Sequence, residues 1–266
     1  MNPSEIKSIL NELGGGANKR LGQHFLVDPH ALATIVEVAE IESRDRVLEI
    51  GPGLGVLTNA LVHAGASVTV IERDRRFAEY LSSTGPAVEI IEGDASRLAW
   101  ETHFKKKSWK FVSNLPYSIT SLALRKALYA PMPPANLVVL VQREVAERAI
   151  ARDQKHSLLS LMVAFASHEA RIVKRVPAGA FFPPPKVESA ILQIMPMTRD
   201  ERLMVWGMDP EKIMSVAKRG FAHPRKLLSS NLGIKPQQLV ELGLPEKARA
   251  EDLRPEDWAR LTASMG

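Results

Sequence analysis

The chain has 266 residues, 45% hydrophobic and 24% charged, with a formal net charge of +5. It contains no cysteine, which excludes disulfides, thiolate metal centres and thiol catalysis together, and none of its seven histidines has H-x3-H or HExxH spacing, so no metal site is expected. The positive charge favours an anionic partner, no apolar run reaches the ~18–20 residues of a membrane span, and the polar, acidic start MNPSEIKSIL is unlike a signal peptide, so a cytosolic address is expected.

Residues 1–18 read as a loose arm, broken by Gly14-Gly15-Gly16. Asp28-Pro29 supplies an N-cap and a proline for the first helical position, and Leu32, Ile35, Val36 and Ala39 recur at helical spacing, predicting an amphipathic helix over 29–40. From Arg46 onward the pattern changes to short apolar runs: Val47–Ile50, Val68–Ile71, Val88–Ile91, Lys110–Ser113 and Leu137–Val141. Each is followed by a turn and a helix-like stretch. Near-continuous apolar strands alternating with helices predict a doubly wound, Rossmann-like α/β domain with a mostly parallel sheet. Arg171–Val176 and Ser189–Met195 are close enough in the chain to form a terminal antiparallel hairpin. Past Pro196, helix starts at Asp209-Pro210, Lys235-Pro236 and Arg254-Pro255 indicate a small helical domain, so domains are expected at 1–198 and 199–266.

Three glycines, Gly51, Gly53 and Gly55, follow the first long strand directly. Their G-x-G-x-G spacing differs from the G-x-G-x-x-G dinucleotide fingerprint, which would require glycine in place of Val56. A nucleoside without a pyrophosphate, such as S-adenosylmethionine, suits this loop. Glu72 ends the next strand, where a carboxylate accepts hydrogen bonds from ribose hydroxyls. Asp94 ends the third, within reach of a cofactor adenine amino group. Either acid alone also suits a helix cap; the pair on successive strands points to a cofactor.

Asn114-Leu115-Pro116-Tyr117 ends the fourth strand. An exocyclic adenine nitrogen is a poor nucleophile because its lone pair is delocalised into the ring. The Asn114 side-chain oxygen and the backbone carbonyl of Leu115 or Pro116 suit its two hydrogens, favouring a pyramidal nitrogen aimed at a methyl group. Proline stiffens the turn, and Tyr117 offers a face for the target base, worth ~1–3 kcal/mol. No general base is essential before transfer, because the leaving group is a sulfonium; positioning and electrostatics carry the catalysis. In the loop Gly179–Pro185, Phe181 is expected to stack on the target adenine opposite Tyr117, and Phe182 to pack.

Positive charge concentrates at Lys105–Lys107, Arg171–Arg175 and Lys218–Lys226. Each cluster also suits a solvated surface. The last is the best RNA contact, because Lys218, Arg219, Arg225 and Lys226 flank Phe221 and His223.

The ordered set KRLGQHFL (19–26), Glu49–Gly55, Glu72-Arg73-Asp74, Gly93-Asp94-Ala95, Asn114–Tyr117, QREVAER (142–148) and PPPKVES (183–189) resembles the KsgA family of small-subunit ribosomal RNA adenine dimethyltransferases, over about 19–263. The resemblance implies a class I methyltransferase fold and cofactor contacts at His24, Leu26, Gly51, Glu72, Asp94 and Asn114. It also implies S-adenosylmethionine as methyl donor and N6,N6-dimethylation of two adjacent adenosines in the 3′-terminal hairpin of 16S-type RNA during small-subunit assembly. A monomer acting on that RNA or on a pre-ribosomal particle is expected. The chain departs from the family at His24 and Ser118, where asparagine is usual, and at Ser157–Ser160, where Gly-Arg-Leu-Ser is frequent.

Three rivals are open at this point. Large-subunit RNA or DNA is an alternative substrate, though a D-P-P-Y motif is lacking. An RNA-binding assembly factor without catalysis is a second. A nicotinamide dehydrogenase is disfavoured by the missing phosphate fingerprint.

Overall fold

The computed structural model describes residues 1–16, 23–104, 108–151 and 155–265. The Lys105–Lys107 cluster and the Lys19–Gly22 part of the family motif lie outside the described residues. The strands are β1 (Phe25–Leu26), β2 (Arg46–Ile50), β3 (Ser67–Glu72), β4 (Glu89–Glu92), β5 (Lys110–Asn114), β6 (Asn136–Gln142), β7 (Ser167–Val176), β8 (Phe181–Phe182) and β9 (Ser189–Pro196). The helices are α1 (Pro3–Glu12), α2 (Pro29–Ala39), α3 (Val56–His63), α4 (Arg75–Thr84), α5 (Thr120–Leu128), α6 (Arg143–Ala149), α7 (Leu158–Ala166), α8 (Arg199–Trp206), α9 (Pro210–Gly220), α10 (Leu228–Leu232), α11 (Pro236–Glu241) and α12 (Pro255–Ser264).

Seven strands form one sheet in the order β4-β3-β2-β5-β6-β9-β7. Pairing is parallel from β4 across to β6, and antiparallel between β6 and β9. This is the expected α/β class. The apolar runs form central strands because both faces are covered: Leu137 through Val141 are all fully buried. Chain order reverses between β2 and β5. A crevice therefore opens at the carboxyl ends of those neighbours, the usual ligand position in such sheets. The helix expected over 29–40 is α2, where the Asp28 carboxylate accepts from the His30 N–H at 2.9 Å and Ala31, Ile35 and Ala39 face the core.

The N-terminal segment corrects the expectation of a loose arm. Asn2 and Glu5 form a reciprocal capping box around Pro3, and the helix they start buries Ile6 and Leu10 against Phe25, Leu54 and Phe77. Burial of two aliphatic side chains one turn apart outweighs the mobility that the following glycines suggested. A second sheet, antiparallel β1–β8, was not expected; it pairs Phe25 with Phe182 and Leu26 with Phe181.

Two compact units are present, 1–146 with 171–196 and 147–170 with 197–266. The break expected at 198/199 therefore differs from the observed division. Residues 147–170 belong with the C-terminal helices because α7 buries Leu161 and Phe165 in the same cluster as Ile213 and Ala217 of α9, Leu228 and Leu232 of α10, and Trp258 and Leu261 of α12. Ser157 and Ser160, the departure noted above, form the capping box that begins α7, with the Ser160 N–H donating to Ser157 Oγ at 3.2 Å and the Ser157 N–H to Ser160 Oγ at 2.7 Å. All three predicted proline-marked starts, at Pro210, Pro236 and Pro255, begin helices.

Candidate active site

One cleft in the first unit lies at the carboxyl ends of β2 to β5, lined by the glycine turn, Glu72, Asp94, the Asn114–Ile119 segment and His24–Leu26. Gly51 has φ +70°, and a Cβ there would stand 3.0 Å from the Pro116 ring. The glycine turn and the Asn114–Tyr117 turn thus meet face to face, at a distance only glycine permits. Gly53 also borders the cleft. Gly55 does not. It caps α3 with φ +78°, and a Cβ there would lie 2.5 Å from Leu81 of α4, so this glycine serves close helix packing and not the cofactor contact expected of it.

Glu72 is 6% exposed. Its carboxylate accepts from the Gly53 N–H at 3.1 Å and the Asp74 N–H at 2.7 Å. Burial raises its pKa, and those backbone donors oppose the rise. Each oxygen retains a lone pair, enough to accept from two ribose hydroxyls. Asp94 accepts from the Ser96 N–H and hydroxyl at 2.9 and 2.7 Å, and Arg73 stands 3.4 Å away. The Ser96 hydrogen bonds hold its carboxyl below the usual range. A buried acid and an ionised acid therefore sit beyond adjacent strand ends above a glycine cradle, a set of acceptors that fits S-adenosylmethionine.

Sequence reading missed Glu49. This carboxyl lies on β2 at the cleft floor, 1% exposed, and accepts from the Thr58 hydroxyl at 2.6 Å. Burial pushes it up to about 8, the Thr58 bond opposing and the Glu72 charge adding. An acid inside an apolar strand immediately before a glycine turn was the available signal.

Asn114 Nδ2 donates to the His24 carbonyl at 3.2 Å, which directs the amide and leaves Oδ1 as its acceptor. The Leu115 N–H donates to the Leu140 carbonyl, anchoring the turn to β6. The Pro116 carbonyl accepts from the Ile119 N–H at 3.1 Å. Tyr117 is half-buried, its hydroxyl 2.8 Å from Oγ of the fully buried Ser189. Ser189 is a second residue that sequence reading missed. Ser118, the other departure, is exposed.

Phe181 requires correction. It is 3% exposed, belongs to the central core cluster and does not line the cleft. Pairing with β1 turns its ring inward, so it offers no open face to a base in this state. Phe182 packs against the α1 cluster, as expected of it. The ring beside Tyr117 is instead His24, at 5.8 Å between centroids. Leu26 lines the cleft but is almost wholly buried.

In the second unit, Lys218 and Arg219 end α9, while Arg225 and Lys226 lie in the turn before α10; all four are exposed. Arg219 also donates to the Leu232 carbonyl at 3.1 Å. Phe221 stacks on Trp258, and His223 is exposed. Among the described residues, no cluster of metal-binding side chains occurs and no helix is long and apolar enough to cross a membrane.

Residues 15–265 match the family model "Ribosomal RNA adenine dimethylase". A "Ribosomal RNA small subunit methyltransferase A" of Dehalococcoides mccartyi is 36% identical over 97% of this chain and 91% of its own length. Among solved structures, a dimethyladenosine transferase from Plasmodium falciparum superposes with TM-score 0.72 at 25% identity, covering 91% of this chain and 97% of that one. The 23S rRNA methyltransferase ErmE superposes with TM-score 0.66 at 27% identity, covering 90% and 98%.

Proposed function

The chain belongs to the ribosomal RNA adenine dimethylase family, and from that premise we propose that it methylates the N6 amino groups of two adjacent adenosines in the 3′-terminal hairpin of small-subunit ribosomal RNA, using S-adenosylmethionine. The observation that carries the reading is the approach of Gly51 to Pro116, which opposes the cofactor turn and the Asn114–Tyr117 turn across one cleft. The reaction takes place in the cytoplasm, on RNA or on an assembling small-subunit particle, with the protein acting as a monomer.

S-adenosylmethionine supplies a methyl group on a sulfonium that departs as a neutral thioether. Glu72 would accept from its ribose and Asp94 from its adenine amino group, and Gly51 and Gly53 would let the backbone approach it. On the substrate side, Asn114 Oδ1 accepts one N6 hydrogen. The Pro116 carbonyl already accepts from both the Ile119 N–H and the Thr120 hydroxyl, so the Leu115 carbonyl takes the other. Two acceptors that draw both hydrogens to one side of the amino group make the nitrogen pyramidal and release its lone pair on the other side, toward the methyl donor. Tyr117 holds the base by stacking. After transfer N6 loses a proton to solvent, and the same pair of acceptors, one now redundant, serves a second round. Lys218, Arg219, Arg225 and Lys226 contact phosphate.

Purified protein assayed with labelled methyl donor on immature small-subunit particles, naked large-subunit RNA and duplex DNA tests the substrate. Dimethyladenosine formed only in the small-subunit RNA is expected. Preferential labelling of either other substrate overturns the assignment.

A further inference from the structure

His24 occupies a position where the resemblance leads one to expect asparagine, and its side chain makes a ring contact that an amide lacks. Its imidazole stacks on Tyr117 with 5.8 Å between centroids and 27° between planes. Its Nδ1 lies 2.8 Å from the Pro183 carbonyl. A carbonyl only accepts, so Nδ1 carries the proton and the ring orientation is set from the loop after β8. The His24 main-chain carbonyl meanwhile receives the Asn114 amide at 3.2 Å. One residue therefore braces both side chains of the transfer turn.

The spacing decides where a target base goes. A base inserted between two parallel rings needs about 7 Å, twice a carbon contact distance of ~3.5 Å. At 5.8 Å the His24 and Tyr117 rings leave no room for one. The base must lie on the opposite face of Tyr117, with His24 behind it. Tyr117 is fixed at its far end as well, by the hydroxyl contact with buried Ser189 at 2.8 Å.

We propose that His24 is a positioning residue for the target adenine, the back layer of a three-ring stack of imidazole, Tyr117 and base. This role is additional to the cofactor contact implied by resemblance, and it rests on the reading that Tyr117 stacks on the target base. The imidazole removes ring motion from Tyr117, so its effect falls on turnover at saturating cofactor more than on cofactor affinity.

The test compares His24→Asn, His24→Phe, Tyr117→Ala and the His24→Asn/Tyr117→Ala double variant. Turnover on small-subunit RNA particles is measured at saturating S-adenosylmethionine, and cofactor affinity by calorimetry, which also reports folding. His24→Asn is expected to lower kcat roughly five- to tenfold, as loss of an aromatic pair implies, whereas His24→Phe, which keeps a ring, stays within about twofold of wild type. The double variant is expected to be no slower than Tyr117→Ala alone, because the two rings act as one unit. Wild-type kcat in His24→Asn, equal losses in His24→Phe and His24→Asn, or losses that multiply in the double variant overturn the role of His24 alone. Wild-type kcat in Tyr117→Ala overturns the stacking reading itself, and the proposal with it.

Discussion

Asn114 is held by its own amide. With Nδ2 given to the His24 carbonyl, its oxygen is the acceptor left for substrate. Tyr117→Ala is therefore expected to lower kcat by about tenfold or more, the value of a lost base stack, with cofactor affinity changed far less. Equal losses in kcat and cofactor affinity, from turnover and calorimetry, contradict that division. Glu49 yields a separate prediction. Its carboxyl rises from the ordinary 4.5 to about 8 on folding, so folding takes up a proton across that interval. The stability contributed by the protonated group is complete below the lower value and is lost as pH climbs through the upper one. Glu49→Gln keeps the shape without the charge. In thermal melts, wild type is expected to lose ground to this variant between about pH 5 and about pH 8; a constant difference over that range rejects the assignment. At this scale the placement of Glu72, Asp94 and Asn114 beside one cleft was legible, because each stands at or just beyond a strand end. The sequence was silent on Ser189 and the His24 ring, whose partners Tyr117 and Pro183 lie far off along the chain.

At the scale of elements, central strands were readable because burial on both faces makes them apolar throughout. The β1–β8 pair was not. Two-residue strands carry no periodicity, and their register joins residues from opposite ends of the unit. The same pairing turned Phe181 into the core. Helix α1 starts at the Asn2–Glu5 capping box and ends before the Gly14–Gly16 run, so the glycines bound the helix and do not loosen it. This helix packs on Phe25, Leu54 and Phe77, from β1, the glycine turn and α4, and two of these line the cleft. Leu10→Ala is expected to cost about 2–4 kcal/mol in denaturant unfolding and to weaken cofactor binding. A fully stable variant with normal affinity contradicts this bracing role. In the second unit, a Cβ at Gly220 would fall 2.4 Å from the Trp258 ring and 2.9 Å from Leu228. Gly220→Ala is accordingly expected to destabilise that unit by about 1–3 kcal/mol, visible as a lowered melting transition.

At the scale of the whole molecule, the doubly wound topology was predictable from alternating strands and helices, but the division into units was not. Residues 147–170 run from α6 into the start of β7, yet α7 within them shares its core with α9, α10 and α12. No composition shift marks that excursion. The net charge is +5, and exposed basic groups stand at the end of α9 and in the turn that follows it. Replacing Arg225 and Lys226 with glutamate is expected to weaken RNA binding and to reduce the slope of log affinity against log salt by roughly 1–2, leaving cofactor affinity intact. An unchanged slope removes these residues from the phosphate contacts.

The central claim is that Asn114, across the cleft from the glycine turn, presents its oxygen to the attacking nitrogen. Single-turnover methyl transfer from saturating S-adenosylmethionine to small-subunit RNA particles tests it most directly, comparing wild type with Asn114→Ala after calorimetry has shown that the variant still binds cofactor. A loss of about a hundredfold or more in the transfer rate is predicted, the scale of removing one aligned catalytic acceptor. Transfer at the wild-type rate contradicts the account.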